Sequence, residues 1–298
     1  MDLLAKFDHA EVNVDNRISM ADARFCEANQ KAYTEALETY EELKYIWSDM
    51  ESGQNDCLCS VDSKYRHDYL RSSKGPQITA AMINSHIIAL HGDFIKALVA
   101  YFKGRYKVTI SEEPILKALL PGEPVVRGQA DIETFQNYQE MMQSLRIAYR
   151  DVVDRILIQL DGRALAEQGV YELRNKCRRA AFWNGGTVQA RFERRKDTIR
   201  FLESFCRFKG WPTNRWELTE PMQDVVRGIC HFETGVLGSI PNGFGELLSW
   251  YGTEDDAFDY SNCLKVKQIK LYKNGRVDVR FSSAAYAGEF VNTYLARA

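Results

Sequence analysis

Few residues in this chain have the types and spacing that chemistry requires. Cys57-Leu58-Cys59 is the one close cysteine pair, with His67 following. A structural zinc site needs four ligands, and no second Cys-x-x-Cys or histidine pair supplies them, so free thiols are expected. Glu254, Asp255, Asp256 and Asp259 offer the hard oxygen ligands that suit magnesium or calcium. They lack the alternating loop pattern of a calcium site and read as a solvated acidic loop. The glycines of Asn184-Gly185-Gly186 and of Gly235, Gly238, Gly243 and Gly245 match neither a phosphate loop nor the dinucleotide spacing. No Gly-x-Ser-x-Gly nucleophile motif is present. Cys230 and His231 are sequence neighbours, which points them in different directions on a helix, whereas a catalytic dyad needs adjacency in space. The reading is therefore no catalytic residue, no cofactor and no metal site, with a dispersed active site kept as a third alternative.

Two basic clusters are better placed for binding. Lys265, Lys267 and Lys270, with Lys273, Arg276, Arg280 and the neighbouring Tyr272, fall on one short segment. Phosphate contacts beside an aromatic platform fit nucleic acid. The competing reading is the solvent side of a half-buried sheet, where edge lysines also block aggregation. Arg174, Arg178 and Arg179, with Lys176, recur at helical spacing before Phe182 and Trp183. Arginine and tryptophan are over-represented among interface hot spots, so Arg174, Arg178, Arg179 and Trp183 are the candidate partner-binding residues. A solvated helix face with Trp183 as a buried anchor is the alternative.

The elements that must hold these clusters follow from periodicity. A helix is expected from about Ser19, a plausible N-cap with Asp22 near the positive helix end, to Met50. Phe25, Ala28, Ala32, Leu37, Tyr40, Leu43 and Trp47 form its apolar stripe. It is long for a small core, so the stripe packs either within the chain or on another chain. Residues 51–76 read as a loop. A second helix is expected over Ile78 to Phe102, carrying His86 and His91 as surface histidines, followed by a short strand at Lys107-Val108-Thr109-Ile110. One uninterrupted helix is expected over Asp131 to Leu160, and another over Ala164 to Phe182. Together they would make a projecting helical hairpin. In the C-terminal segment, apolar and charged residues alternate on both sides of Asn274-Gly275, the strongest short-range hairpin signal. A helix over Ala284 to Leu295 closes the chain. The class is α+β, mostly helical, with a small antiparallel sheet. Three regions are expected: 1–110, helical with a short strand; 111–195, an inserted helical arm; and 196–298, α+β with the basic hairpin.

The 298 residues carry a formal net charge of -2, which gives no global reason to bind nucleic acid or membrane. No apolar run reaches the roughly 18 residues of a membrane-spanning helix. Seven cysteines, an odd number at irregular spacing, argue against a disulfide framework. The first residues lack a signal-peptide layout, so a cytoplasmic chain is expected. Charge is nevertheless segregated. Residues 1–50 lean acidic through Glu27, Glu35, Glu38, Glu41 and Glu42, and residues 163–215 are strongly basic. Residues 216–260 turn acidic and the remainder basic. Such alternation describes surfaces able to meet each other, within one chain or between copies.

Two stretches resemble a domain family of plasmid and phage proteins, sometimes joined to DNA methyltransferase domains. They are His91-Gly92-Asp93-Phe94 through Phe102-Lys103-Gly104-Arg105-Tyr106-Lys107, and Lys270-Leu271-Tyr272-Lys273-Asn274-Gly275-Arg276-Val277-Asp278-Val279-Arg280-Phe281. The second resembles the family's aromatic-Lys-Asn-Gly hairpin, and a helix near Arg200 to Phe208 before Lys209-Gly210-Trp211-Pro212 extends the match. Asp278 stands where the family pattern has a histidine, so no role of that histidine carries over. The resemblance implies a mobile-element origin and a setting of DNA metabolism or phage–host conflict. In size, helix content and lack of a catalytic motif the chain is also similar to phage proteins that inhibit bacterial Gabija defence. The expected function is then a non-enzymatic protein of the host bacterial cytoplasm that binds and blocks a bacterial defence protein complex, as a homo-oligomer and without membrane contact. A DNA-associated accessory protein using the basic hairpin is the alternative.

Overall fold

The structure is a computed structural model that describes residues 17–67, 79–125, 132–182 and 189–296. The expected α+β class, mostly helical with a small antiparallel sheet, is what it has. The chain forms two compact units, residues 1–103 with 109–164, and residues 104–108 with 165–298. The helices expected in one inserted arm over 111–195 are shared between them, because the division falls at Ala164/Leu165.

The first unit holds α1 (Met20–Leu58), most of α2 (Ala80–Tyr106), α3 (Glu112–Leu119), α4 (Ile132–Ser144) and α5 (Tyr149–Gln159). Ser19 caps α1 as expected: its Oγ accepts from the Asp22 N–H at 3.2 Å, and Asp22 Oδ2 accepts from the Ser19 N–H at 3.0 Å. Cys26 and Leu37 of α1, Ile87, Ile95, Leu98 and Phe102 of α2, and Val152, Val153 and Ile156 of α5 are fully buried. The helix α1 runs through the expected loop to Leu58, with Gly53 inside it, yet it has no buried residue after Leu37.

Tertiary contacts revise three local expectations. His91 is not a surface residue but is fully buried. Its Nε2 donates to the Met142 carbonyl at 2.7 Å, which leaves Nδ1 to accept from the Tyr33 hydroxyl at 2.8 Å. The continuous helix expected over 131–160 breaks between Ser144 and Tyr149. His91 takes the Met142 carbonyl there, while Gln30 donates to the Ile147 carbonyl and accepts from the Tyr149 N–H. Residues 107–110 form no strand. Lys107 has a φ of 54°, and Val108 and Ile110 are buried in an irregular connector.

The second unit is built on an antiparallel five-stranded sheet of order β1-β2-β7-β6-β5. The strands are β1 (Phe192–Arg195), β2 (Thr198–Phe201), β5 (Ala257–Asp259), β6 (Val266–Leu271) and β7 (Val277–Phe281); β3 (Cys206–Lys209) and β4 (Arg215–Leu218) pair separately. The helix expected near Arg200 to Phe208 is instead the end of β2, a bend and the start of β3, as the alternating burial of Thr198–Phe201 accounts for in β2. Three helices, α6 (Leu165–Ala181), α7 (Glu220–Thr234) and α9 (Ala284–Phe290), share the core; α8 (Phe244–Leu247) is one turn. Phe232 of α7 packs edge-on against Phe281 of β7 and Phe290 of α9. Helices α6 and α7 approach closely at Gly228, where a Cβ would lie 2.5 Å from the Cys177 sulfur. The expected β6–β7 hairpin forms, but only Gly275 has a positive φ, 83°. The Gly275 N–H donates to the Tyr272 carbonyl at 2.8 Å, and Asn274 contributes its side chain, which accepts from the Arg276 N–H. This is a turn followed by a left-handed glycine, not a two-residue loop.

Candidate functional site

Two surfaces of the second unit carry the residues singled out in the sequence. The first is the outer face of the sheet. Because side chains alternate, the buried Ile199, Val279 and Ile269 face the helices, while Arg200, Asp278 and Lys270 form one cross-strand row on the other side. Thr198, Arg280, Gln268 and Asp259 form the next. Asp278 is the hub. It lies 3.2 Å from Arg200 and 3.3 Å from Arg276, and it accepts from the Tyr272 hydroxyl at 3.3 Å. Arg276 also stacks 3.6 Å from the centre of the Tyr272 ring. Arg280 pairs with Asp197 at 3.2 Å and Arg195 with Glu193 at 2.9 Å.

The six expected cations are thus not one field. Lys270, Lys273, Arg276 and Arg280 belong to the hairpin's outer side and loop. Lys265 turns toward α7, donating to the Phe232 carbonyl at 2.6 Å with its ammonium 4.2 Å from the Phe232 ring centre. Lys267 donates to the Cys263 carbonyl. The β6 bulge between Val266 and Gln268 breaks the alternation that placed these lysines on one face. Sequence reasoning missed Arg200 and Asp278 as the centre of the face. The alternation of Thr198-Ile199-Arg200-Phe201 was the available signal.

Carboxylates already occupy the guanidinium groups where phosphates would bind. Duplex or single-stranded DNA at low salt should therefore give no gel shift with the wild-type protein. A shift that Lys270→Glu with Arg280→Glu removes would establish the nucleic-acid alternative.

The second surface is α6. Its buried side is Leu165, Gly169, Cys177, Ala180 and Ala181. The adjacent i, i+4 row is Ala166, Val170, Arg174 and Arg178, which with Glu167 and Tyr171 lines a shallow groove of about 390 Å³. Arg174 lies over the Tyr294 ring at 5.7 Å, and Arg178 donates to Asn175 Oδ1 at 3.3 Å. The Nε of each is buried with no acceptor among the described residues. No carboxylate among the described residues forms an ion pair with Arg174, Lys176, Arg178 or Arg179. Trp183 lies outside the described residues.

Burial acts on several of the remaining titratable groups, while Cys57 and Cys59 are exposed. The Cys230 thiol and the Tyr294 phenol are each pushed up to about 12, chiefly by desolvation. His231 is held below the usual imidazole range by burial and by Arg174 and Lys265, and its Nδ1 is 2.6 Å from the Tyr294 hydroxyl. All seven cysteines are free thiols. Among the described residues no group of three or more His, Cys, Asp or Glu is placed to hold a metal ion, and no helix is long and apolar enough to cross a membrane. No protein-family model, curated protein or solved structure matches the chain.

Proposed function

We propose that this chain is a non-enzymatic phage or mobile-element protein that acts by binding, occluding a bacterial anti-phage defence complex of the Gabija kind as a homo-oligomer in the host cytoplasm. The observation that carries the binding reading is the α6 face. It is a row of arginines without carboxylate partners among the described residues, two of them with a buried, unsatisfied Nε, beside an apolar groove. Their guanidinium charge has no carboxylate to pair with among the described residues, and an acidic surface laid across the helix would supply one. Occlusion needs complementary surfaces and no reacting group. The phage setting and the defence target rest on the sequence resemblance.

Changing Arg174, Arg178 and Arg179 together to Glu should weaken capture of the defence complex by at least ~10-fold, or about 1.4 kcal/mol, with circular dichroism checking that the half-buried Arg174 and Arg178 tolerate the change. The measurement is an affinity pull-down from defence-carrying bacterial lysate against the wild-type chain. Capture of nucleic acid alone by the wild type would overturn the reading.

A further inference from the structure

Among the described residues there is a second face without partners, and its chemistry is the complement of α6. Beyond Leu37, α1 has no buried residue. Its outer side shows Leu43 at 40%, Tyr45 at 75%, Ile46 at 58% and Met50 at 45% exposure. Leu43, Ile46 and Met50 sit at i, i+3 and i+7, the spacing of a helix-packing seam. Just N-terminal to them lie the exposed Glu35, Glu38 and Glu42. Among the described residues Glu35 has only the exposed Lys31, 3.7 Å away, as an ion-pair partner, and no cation pairs with Glu38 or Glu42. A second copy of the same α1 would bring like charges together if it crossed here, so the face does not suit itself.

It does suit α6. Along α6 the order is apolar first, Ala166, Val170 and the exposed Tyr171, then cationic, Arg174 and Arg178. Along α1 the order is acidic, then apolar. Running the helices antiparallel matches both halves at once, because each pair of half-faces is separated by about eight residues, roughly 12 Å of helix. In that register Glu42 meets Arg174 and Glu38 meets Arg178, with Glu35 one turn further on, while Ile46 and Met50 lie over Val170 and Ala166. Asp49 then approaches Glu167, the one unfavourable pair, next to the positive N-terminal end of α6.

We infer that the homo-oligomer of the proposed function is built by the α1 face of one copy docking antiparallel on the α6 face of a second. This rests on that reading: α6 then serves self-association, and the defence complex is captured by the oligomer that the contact builds. Light scattering at micromolar concentration and low salt should give the wild type a mass of at least two chains, falling as salt rises. Glu35→Lys with Glu38→Lys and Glu42→Lys should reduce it to one chain. Arg174→Glu with Arg178→Glu and Arg179→Glu should do the same. Glu35, Glu38 and Glu42 are all exposed, so their variant reads the contact independently of how the half-buried Arg174 and Arg178 tolerate reversal. An equimolar mixture of the two triple variants should regain the higher mass, because the reversed α1 of one then faces the reversed α6 of the other. A wild type of one chain at every concentration, a reversed variant of unchanged mass, or a folded mixture that stays monomeric overturns the inference. Capture of the defence complex separates the two claims. Capture lost at unchanged mass gives α6 to the partner and leaves the proposed function standing; mass lost with capture intact keeps this contact and moves partner recognition elsewhere.

Discussion

Replacing His91 by phenylalanine should destabilise the first unit by about 3 kcal/mol, although the ring is kept and no large cavity opens. The substitution leaves the Met142 carbonyl and the Tyr33 hydroxyl, which also accepts from the Ile147 N–H at 3.4 Å, without their buried partner. A buried polar group stripped of its partner costs roughly 1–3 kcal/mol, and two are stripped here. The imidazole also sets a pH dependence. Desolvation, with Arg146 nearby, holds His91 below the ordinary imidazole range, and the Met142 carbonyl opposes this only in part. The unfolded chain therefore binds a proton at about pH 6.5, where the native chain does not. The His91 contribution is fully present above that pH and is lost as pH falls through the lower folded value. Thermal melts of the wild type should decline on acidification across this window, and those of the phenylalanine variant should decline less; His231, also depressed, keeps a residual slope. Equal stability of the two proteins at pH 8 would show that the two hydrogen bonds of His91 hold nothing together.

Glu233→Ala should be the most damaging single change in the second unit at a side chain that is not part of the apolar core. The Glu233 carboxylate at the end of α7 accepts from three consecutive backbone N–H groups, those of Leu264 at 2.5 Å, Lys265 at 2.9 Å and Val266 at 3.1 Å. These groups lead into β6, so the carboxylate aligns the strand that carries the hairpin. Charge-assisted bonds are worth about 1.5–3 kcal/mol each, and water replaces part of this at the exposed Leu264, so a loss of about 3 kcal/mol is expected. Denaturant titration should show a lowered midpoint at unchanged slope, and hydrogen exchange should show amides 264–266 losing protection. A midpoint unmoved by the substitution would mean that the apolar contacts of Val266 alone position the strand.

What could be read from sequence lies in local chemistry. Ser19 and Asp22 start α1, because a capping box needs only residues three apart. The close of α6 near Ala181 and the alternation on either side of Asn274-Gly275 were legible for the same reason, as was the α+β class. The arginines of α6 could be named, since helical spacing alone puts them together. The tertiary structure decided everything that depends on residues far apart in the chain. His91 looks like a surface histidine until Tyr33 and Met142 are brought to it. The helix over 131–160 looks continuous until Gln30 and His91 claim its backbone groups. The basic hairpin looks like a phosphate-binding field until β2 and β7 pair and Arg200 and Asp278 meet. That pairing sets charge against charge across neighbouring strands, an arrangement no spacing along one strand can show. Only folding, too, separates the half of α1 that is buried from the half that is not. The apolar stripe continues through both, and what differs is whether the rest of the chain comes to cover it.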